Sequence, residues 1–180
     1  MIYSPGPVSD RRSIAMHAAE PVSQAVPENR KFLVVVDQTP ECQNAVRYAA
    51  RRAAKTASGM IVLYVVARPE LQHFAGIEQV MREEAHAEAQ QVLRDLATRL
   101  KAETGIDPEL AVREGTAAQE ILKLVGEDPA IHVLVLGAGG GKDGPGPLVA
   151  SFSGHLAGAM PIPVTIVPGH LDLAQLERIS

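Results

Sequence analysis

Apolar residues in this chain come in short unbroken runs, separated by longer stretches with helical spacing. The first run, Phe32–Val36 (FLVVV), is largely β-branched and stops at Asp37. A run without polar alternation reads as a parallel strand buried on both faces. Thr39, Pro40 and Glu41 follow as N-cap, N1 proline and early acid, predicting a helix through about Thr56. Met60–Val66 (MIVLYVV), after Gly59, is a second buried strand. Beyond a loop at Pro69 a long helix is expected from about Ile77 to Glu103. Its apolar face would carry Ile77, Val80, Met81, Val92, Leu93, Leu96 and Leu100, and Gly105 is its expected C′ residue.

The second half keeps the alternation. Glu109–Arg113 is shorter and more polar, hence an edge strand, and Thr116 and Gln119 have the spacing of a capping box. The helix they open carries Ile121, Leu122, Leu124 and Val125. His132–Leu136 (HVLVL) is the fourth strand, a helix is expected from roughly Ser151 to Ala159, and Val164–Val167 is the fifth strand. Leu171–Ile179 reads as a short amphipathic helix. Five strands alternating with helices mean an α/β domain with a mainly parallel sheet and right-handed crossovers. The domain is expected over residues 31–169. A tail rich in Pro, Ser and Ala (1–30) precedes it and an extension (170–180) follows.

Composition removes several function classes. A net charge of −4 gives no basic footprint for nucleic acid, and 3% aromatic residues give no stacking platform for single strands. No apolar run approaches a membrane span, and the start lacks the apolar segment of a secretory signal, so no membrane contact and a cytoplasmic location are expected. Cys42 is the only cysteine. It excludes an intramolecular disulfide and reads as a small hydrophobe on a helix. His73, His86 and His132 show no metal-ligand spacing, and His155 has no paired carboxylate in sequence.

Candidate chemistry concentrates in Leu136–Ser151, LGAGGGKDGPGPLVAS. Backbone N–H groups at Gly137, Gly139, Gly140 and Gly141 could converge on an anion without a side chain in the way. A helix opening near Ser151 would add unpaired donors. A Walker A loop does not fit, because Gly141-Lys142 is followed by Asp143 and Leu136 stands where the first glycine is required. The letters of a dinucleotide fingerprint occur as Gly139-x-Gly141-x-x-Gly144. Yet Gly144-Pro145-Gly146-Pro147 follows, a stretch not expected to open a helix, and no acidic ribose ligand comes after it.

A third spacing, Gly137-x2-Gly140-x9-Ala150-Ser151, resembles the ATP-binding branch of the universal stress protein family. That branch carries G-x2-G-x9-G-[S/T] between its fourth strand and the following helix. The resemblance covers Lys31 to about Gly169 and includes the Asp37 that closes the first strand and the final segment PIPVTIVP. It implies a doubly wound five-stranded sheet of order 3-2-1-4-5 with helices on both faces. The ligand would sit at the switch point between strands one and four.

The resemblance also implies roles. Gly137, Gly140, Ser151 and Ser153 would hold phosphates, with Gly139, Gly141, Lys142 and Thr39 as neighbouring contacts. Val65 would pack on adenine. Asp37 would lie near the ribose and phosphates, where it could hold a Mg²⁺ water; capping the next helix is its alternative role. Ala150 replaces the last glycine of the pattern, and a positive φ there would cost roughly 1–2 kcal/mol for the methyl group. The implied function is binding of ATP (or ADP or AMP) with Mg²⁺ to gate contact with a protein partner. A homodimer through antiparallel pairing of the fifth strand is implied as well. A nucleotide-free dimeric scaffold, and a slow ATPase or autophosphorylating protein using Ser151 or Ser153, stand as alternatives. No general base other than Asp37 is evident, so efficient phosphoryl transfer is not expected.

Overall fold

The computed structural model describes residues 29–37, 39–68, 75–141 and 144–180. The N-terminal tail through Glu28, the loop with His73, and Lys142 lie outside the described residues, as does the side chain of Ile77. Strands β1 (Lys31–Val36), β2 (Gly59–Val66), β3 (Glu109–Glu114), β4 (Ile131–Ala138) and β5 (Val164–Pro168) form one sheet. Its order is β3-β2-β1-β4-β5, with every neighbouring pair parallel. The central register sets Val34 of β1 opposite both Val62 and Val135.

Side chains alternate across β1 and so feed two cores. Phe32, Val34 and Val36 pack with α1 (Pro40–Lys55), the second half of α2 (Ala75–Thr104) and α5 (Leu173–Ile179). Leu33 and Val35 pack with α3 (Ala117–Glu127) and α4 (Pro147–Ser153) on the other face. Burial on both faces is why β1, β2 and β4 read as continuous apolar runs.

Three expectations are corrected. The apolar stripe of α2 is buried at Leu93, Leu96 and Leu100, but Val80 and Met81 are 53% and 46% exposed. A 30-residue helix is ~45 Å long, whereas the eight residues of β2 span ~26 Å. The first half of α2 therefore outruns the sheet that its second half covers. Thr116 is the N-cap of α3, but its side chain makes no capping bond, so the predicted box does not form. The nearby carboxylate is instead Glu120, buried and held by Lys123 at 2.6 Å. A capping box does form at α5, between Asp172 and Gln175, in the segment read only as amphipathic. The third correction, the start of α4, concerns the site and is described below.

The histidines that show no ligand spacing have structural partners. His132 Nδ1 lies 2.9 Å from the Lys31 carbonyl with its ring edge-on to Phe32, and His86 joins Arg82 and Arg68 around Glu114. Below the sheet, Lys31 Nζ reaches Glu109 at 2.8 Å and Asp128 at 3.0 Å, tying β1 to β3 and to the turn before β4.

Burial raises the Asp128 carboxyl, but the Lys31 ammonium and the Ala130 N–H outweigh it and hold the group below its ordinary range. A carboxyl lowered by folding adds stability that is present above its unfolded pKa and lost as pH falls through the folded one. The melting temperature is therefore expected to drop on acidification below about pH 4. In Lys31→Met that acid limb should be shallower. An unchanged limb would show that Lys31 does not hold Asp128.

Candidate functional site

The direction of winding reverses between β1 and β4, since β1 leads to α1 on one face and β4 to α4 on the other. A crevice must open there, at the carboxyl ends of the strands. Asp37 leaves β1 at this point, exposed. Its Oδ1 accepts the Thr39 N–H at 2.9 Å and the Thr39 hydroxyl at 2.6 Å. Thr39 is the N-cap of α1 without a capping bond of its own. Asp37 thus fixes the turn into α1 through one oxygen.

Gly137 has a packing role visible only in three dimensions. A Cβ at Gly137 would lie 2.5 Å from the carbonyl oxygen of Glu41 and 3.0 Å from the nitrogen of Cys42. At Gly169, just after β5, it would lie 2.5 Å from the Glu41 Cβ. A Cβ at Gly139 would meet the Glu41 Oε1 at 3.0 Å. Three glycines at the ends of two neighbouring strands therefore surround Glu41, in the first turn of α1.

The glycine loop is partly closed on itself. The Gly139 N–H donates to the Pro145 carbonyl at 3.3 Å and the Gly144 N–H to the Gly141 carbonyl at 3.3 Å. Gly137 belongs to the β4–β5 ladder opposite Val167. Of the four N–H groups expected to converge, those of Gly140 and Gly141 donate to no backbone carbonyl among the described residues. Gly140 is exposed, and a Cβ there would have only His170 Nδ1 near it, at 4.0 Å.

α4 begins at Pro147, not near Ser151. The dipeptide Gly146-Pro147, read in sequence as a break, is its N-cap and N1. Gly146 takes φ 94°, open to glycine at little cost, and proline at N1 loses no hydrogen bond. Ser151 and Ser153 consequently sit inside the helix, and their hydroxyls donate to the carbonyls of Pro147 at 2.8 Å and Val149 at 2.6 Å. Ala150 is also helical, its N–H donating to Gly146 at 3.0 Å, and it has no positive φ. The methyl penalty weighed for position 150 does not arise; the positive φ angles fall at Gly144 and Gly146.

The crevice lined by Asp37, Thr39, Glu41, Gly137, Pro145 and Pro147 has a volume of about 70 Å³. Val65, half-buried at the end of β2, lines a different and more open cavity of about 540 Å³ together with Arg68, Gly115 and Thr116. Asp37, Thr39 and Gly137 are thus brought together, whereas Val65, Gly140, Ser151 and Ser153 line other surfaces. Two carboxylates, Asp37 and Glu41, face the crevice, and no described lysine or arginine lines it. The free oxygen of Asp37 beside Glu41 is a donor set suited to a hydrated Mg²⁺, which keeps several waters and takes few carboxylates. Among the described residues no group of three or more His, Cys, Asp or Glu side chains gathers to hold a metal.

Cys42 lines the crevice from α1. Its thiol is pushed up to about 11, chiefly by burial, and its Sγ donates to the Val35 carbonyl at 3.6 Å. A thiol so protonated is no nucleophile. Glu41, Pro145, Gly169 and His170 are the neighbours of the loop that sequence reasoning missed. The available signal was a glycine ending each of two adjacent strands, which marks a close approach by some other element.

The profile of the Universal stress protein family matches residues 28–168. No curated protein matches the chain. Among solved structures, the universal stress protein UspA from Lactobacillus plantarum is 20% identical with a TM-score of 0.65, covering 77% of this chain and 97% of that one. The universal stress protein from Archaeoglobus fulgidus in complex with dAMP is 15% identical with a TM-score of 0.53, covering 76% and 96%. A universal stress protein family protein from Arabidopsis thaliana with AMP bound is 15% identical with a TM-score of 0.51, covering 77% and 91%.

Proposed function

The chain belongs to the universal stress protein family, and on that premise we propose that it binds an adenine nucleotide at the β1/β4 switch point. Binding would gate contact with a protein partner in the cytoplasm. The observation that carries this proposal is the meeting of Asp37 with Gly137 in one crevice, at the start of a glycine loop whose Gly140 and Gly141 N–H groups, outside that crevice, have no described backbone acceptor. Unpaired N–H groups in a glycine turn form an anion site. The nucleotides dAMP and AMP bound to two structures of the same fold fit such a site. Val65, in its wider cavity, would supply the apolar wall for the base. The Asp37 oxygen not bonded to Thr39 would hold a Mg²⁺ water. ATP and ADP are the other candidate ligands. Their longer phosphate chains require the Pro145–Pro147 segment to move outward, because a crevice of about 70 Å³ is well below the 300–1,000 Å³ typical of ligand pockets.

The same crevice size favours the scaffold alternative as a second reading. Ser151 and Ser153, both bonded to helix carbonyls, give no support to autophosphorylation. For either reading we propose a homodimer through β5, an edge strand with Ile166 42% exposed. Uncovered apolar edges invite pairing.

Calorimetric titration of the full chain with AMP and with ATP, with and without Mg²⁺, tests nucleotide binding. Saturable heat is expected with at least one of them, and no heat at millimolar nucleotide would leave the scaffold. Light scattering should return twice the chain mass; a monomer at high concentration would remove the dimer.

A further inference from the structure

The turn between β5 and α5 holds an exposed imidazole on a pinned backbone. Asn44, buried in α1, donates from its side-chain nitrogen to the Gly169 carbonyl at 3.0 Å and to the Leu171 carbonyl at 2.9 Å. These are the carbonyls on either side of His170. The Gly169 N–H donates to the Ala138 carbonyl at 2.8 Å, which ties the exit of β5 to the exit of β4. Across from this turn stands Gly140. Among the described residues, a Cβ at Gly140 would have only His170 Nδ1 near it, 4.0 Å away. Both residues are exposed. The imidazoles of His86 and His132 have hydrogen-bond partners, whereas that of His170 has none among the described residues.

Resting on the proposed nucleotide site, we infer that His170 is a further phosphate-binding residue, its imidazole donating to the phosphate held at the Gly140 and Gly141 N–H groups. The space that Gly140 leaves by having no side chain is the space a phosphate would use, and His170 Nδ1 borders it. A distance of 4.0 Å to the Cβ position closes to the 2.7–2.9 Å of a charge-assisted hydrogen bond by rotation of an exposed ring alone. An imidazole carries at least one N–H whether neutral or protonated, so it can serve as a donor in either form. Asn44 has already fixed the backbone of the turn, so only the side chain has to be ordered on binding. His170 lies past the end of the family match at residue 168. The contact is therefore supplied by this chain's own C-terminal extension and not by the glycine pattern.

Two variants test the contact. His170→Ala removes the donor, and His170→Arg replaces it with a permanent cation of longer reach. Each changes an exposed side chain, so both should melt like the parent. Calorimetry on the full chain would use whichever of AMP and ATP the parent binds, with adenosine as the probe that lacks a phosphate.

His170→Ala should weaken the nucleotide about tenfold, the loss of one charge-assisted hydrogen bond, and leave adenosine unchanged. His170→Arg should bring the nucleotide back to within about threefold of the parent. Unchanged nucleotide affinity in His170→Ala overturns the inference, and so does an equal loss of nucleotide and adenosine. Should adenosine bind too weakly to measure, the arginine variant decides: recovered affinity supports the contact, and affinity as low as that of His170→Ala overturns it. In all these outcomes the nucleotide site itself stands. If neither AMP nor ATP binds the parent, the site fails and the inference falls with it.

Discussion

Gly137→Ala should lower the melting temperature of the protein by roughly 6–12 °C, the counterpart of about 3 kcal/mol for a domain of this size. The added methyl would sit 2.5 Å from the Glu41 carbonyl oxygen and 2.7 Å from its carbon. Both are backbone atoms, unable to turn aside as a side-chain end would. Relief requires the first turn of α1 to lift off β4. That movement disturbs Cys42, Ala45 and Val46, all buried in the core between α1 and the sheet. Overpacking a core ordinarily costs 1–3 kcal/mol, and the lack of any rotamer escape puts this case at the upper end. Gly141→Ala, with nothing within 4 Å of the new methyl, is the matched control and should melt like the parent. Equal melting of the two variants would mean that α1 does not rest on Gly137.

Gly140→Val should have the opposite profile, leaving stability within a degree or two of the parent while removing nucleotide binding. Its Cβ would meet only His170 Nδ1 at 4.0 Å, and the backbone at this position has no positive φ. The fold therefore tolerates the branched side chain. A phosphate approaching the Gly140 and Gly141 N–H groups would not, because those donors are reachable only where no side chain stands in front. Binding should fall by about a hundredfold or more, the loss of two charge-assisted hydrogen bonds. Calorimetry with AMP reads it directly. Normal affinity in Gly140→Val would move the phosphate away from this loop, whatever else binds there.

The strands and the long helices were legible because their signals are local. FLVVV, MIVLYVV and HVLVL admit few alternatives, and the alternation of strand and helix fixes the fold class. The order 3-2-1-4-5 came from the resemblance and agrees with the observed sheet. What failed locally had non-local causes. Gly146-Pro147 has the composition of a break, yet it opens α4, so Ser151 moved from a helix start to a helix interior. Thr116 and Gln119 have capping spacing without the capping bond. The stripe on α2 records amphipathicity but not how far the sheet beneath it extends.

The site shows the same division. Asp37 and Gly137 meet where the switch point requires, but the glycine pattern states only that a close approach exists. That a glutamate of α1 makes the approach, in addition to whatever ligand the loop admits, depends on the packing of Glu41 against Gly137 and Gly169.

The position of β1 in the sheet also orders events during synthesis. Its first neighbour, β2, begins 28 residues after β1 in the chain, but its second neighbour, β4, begins 100 residues after it, Lys31 pairing with Gly59 and with Ile131. As the chain leaves the ribosome, β1, β2 and β3 can form a half-sheet while β4 is still unmade. During that interval the β4-facing edge of β1 offers unpaired backbone groups flanked by FLVVV, the kind of edge that joins to other chains. The residues that close that edge are the ones that lead into the glycine loop. Sealing the nascent sheet and assembling the crevice are consequently a single late step, and a chain stalled before β4 would be both siteless and adhesive.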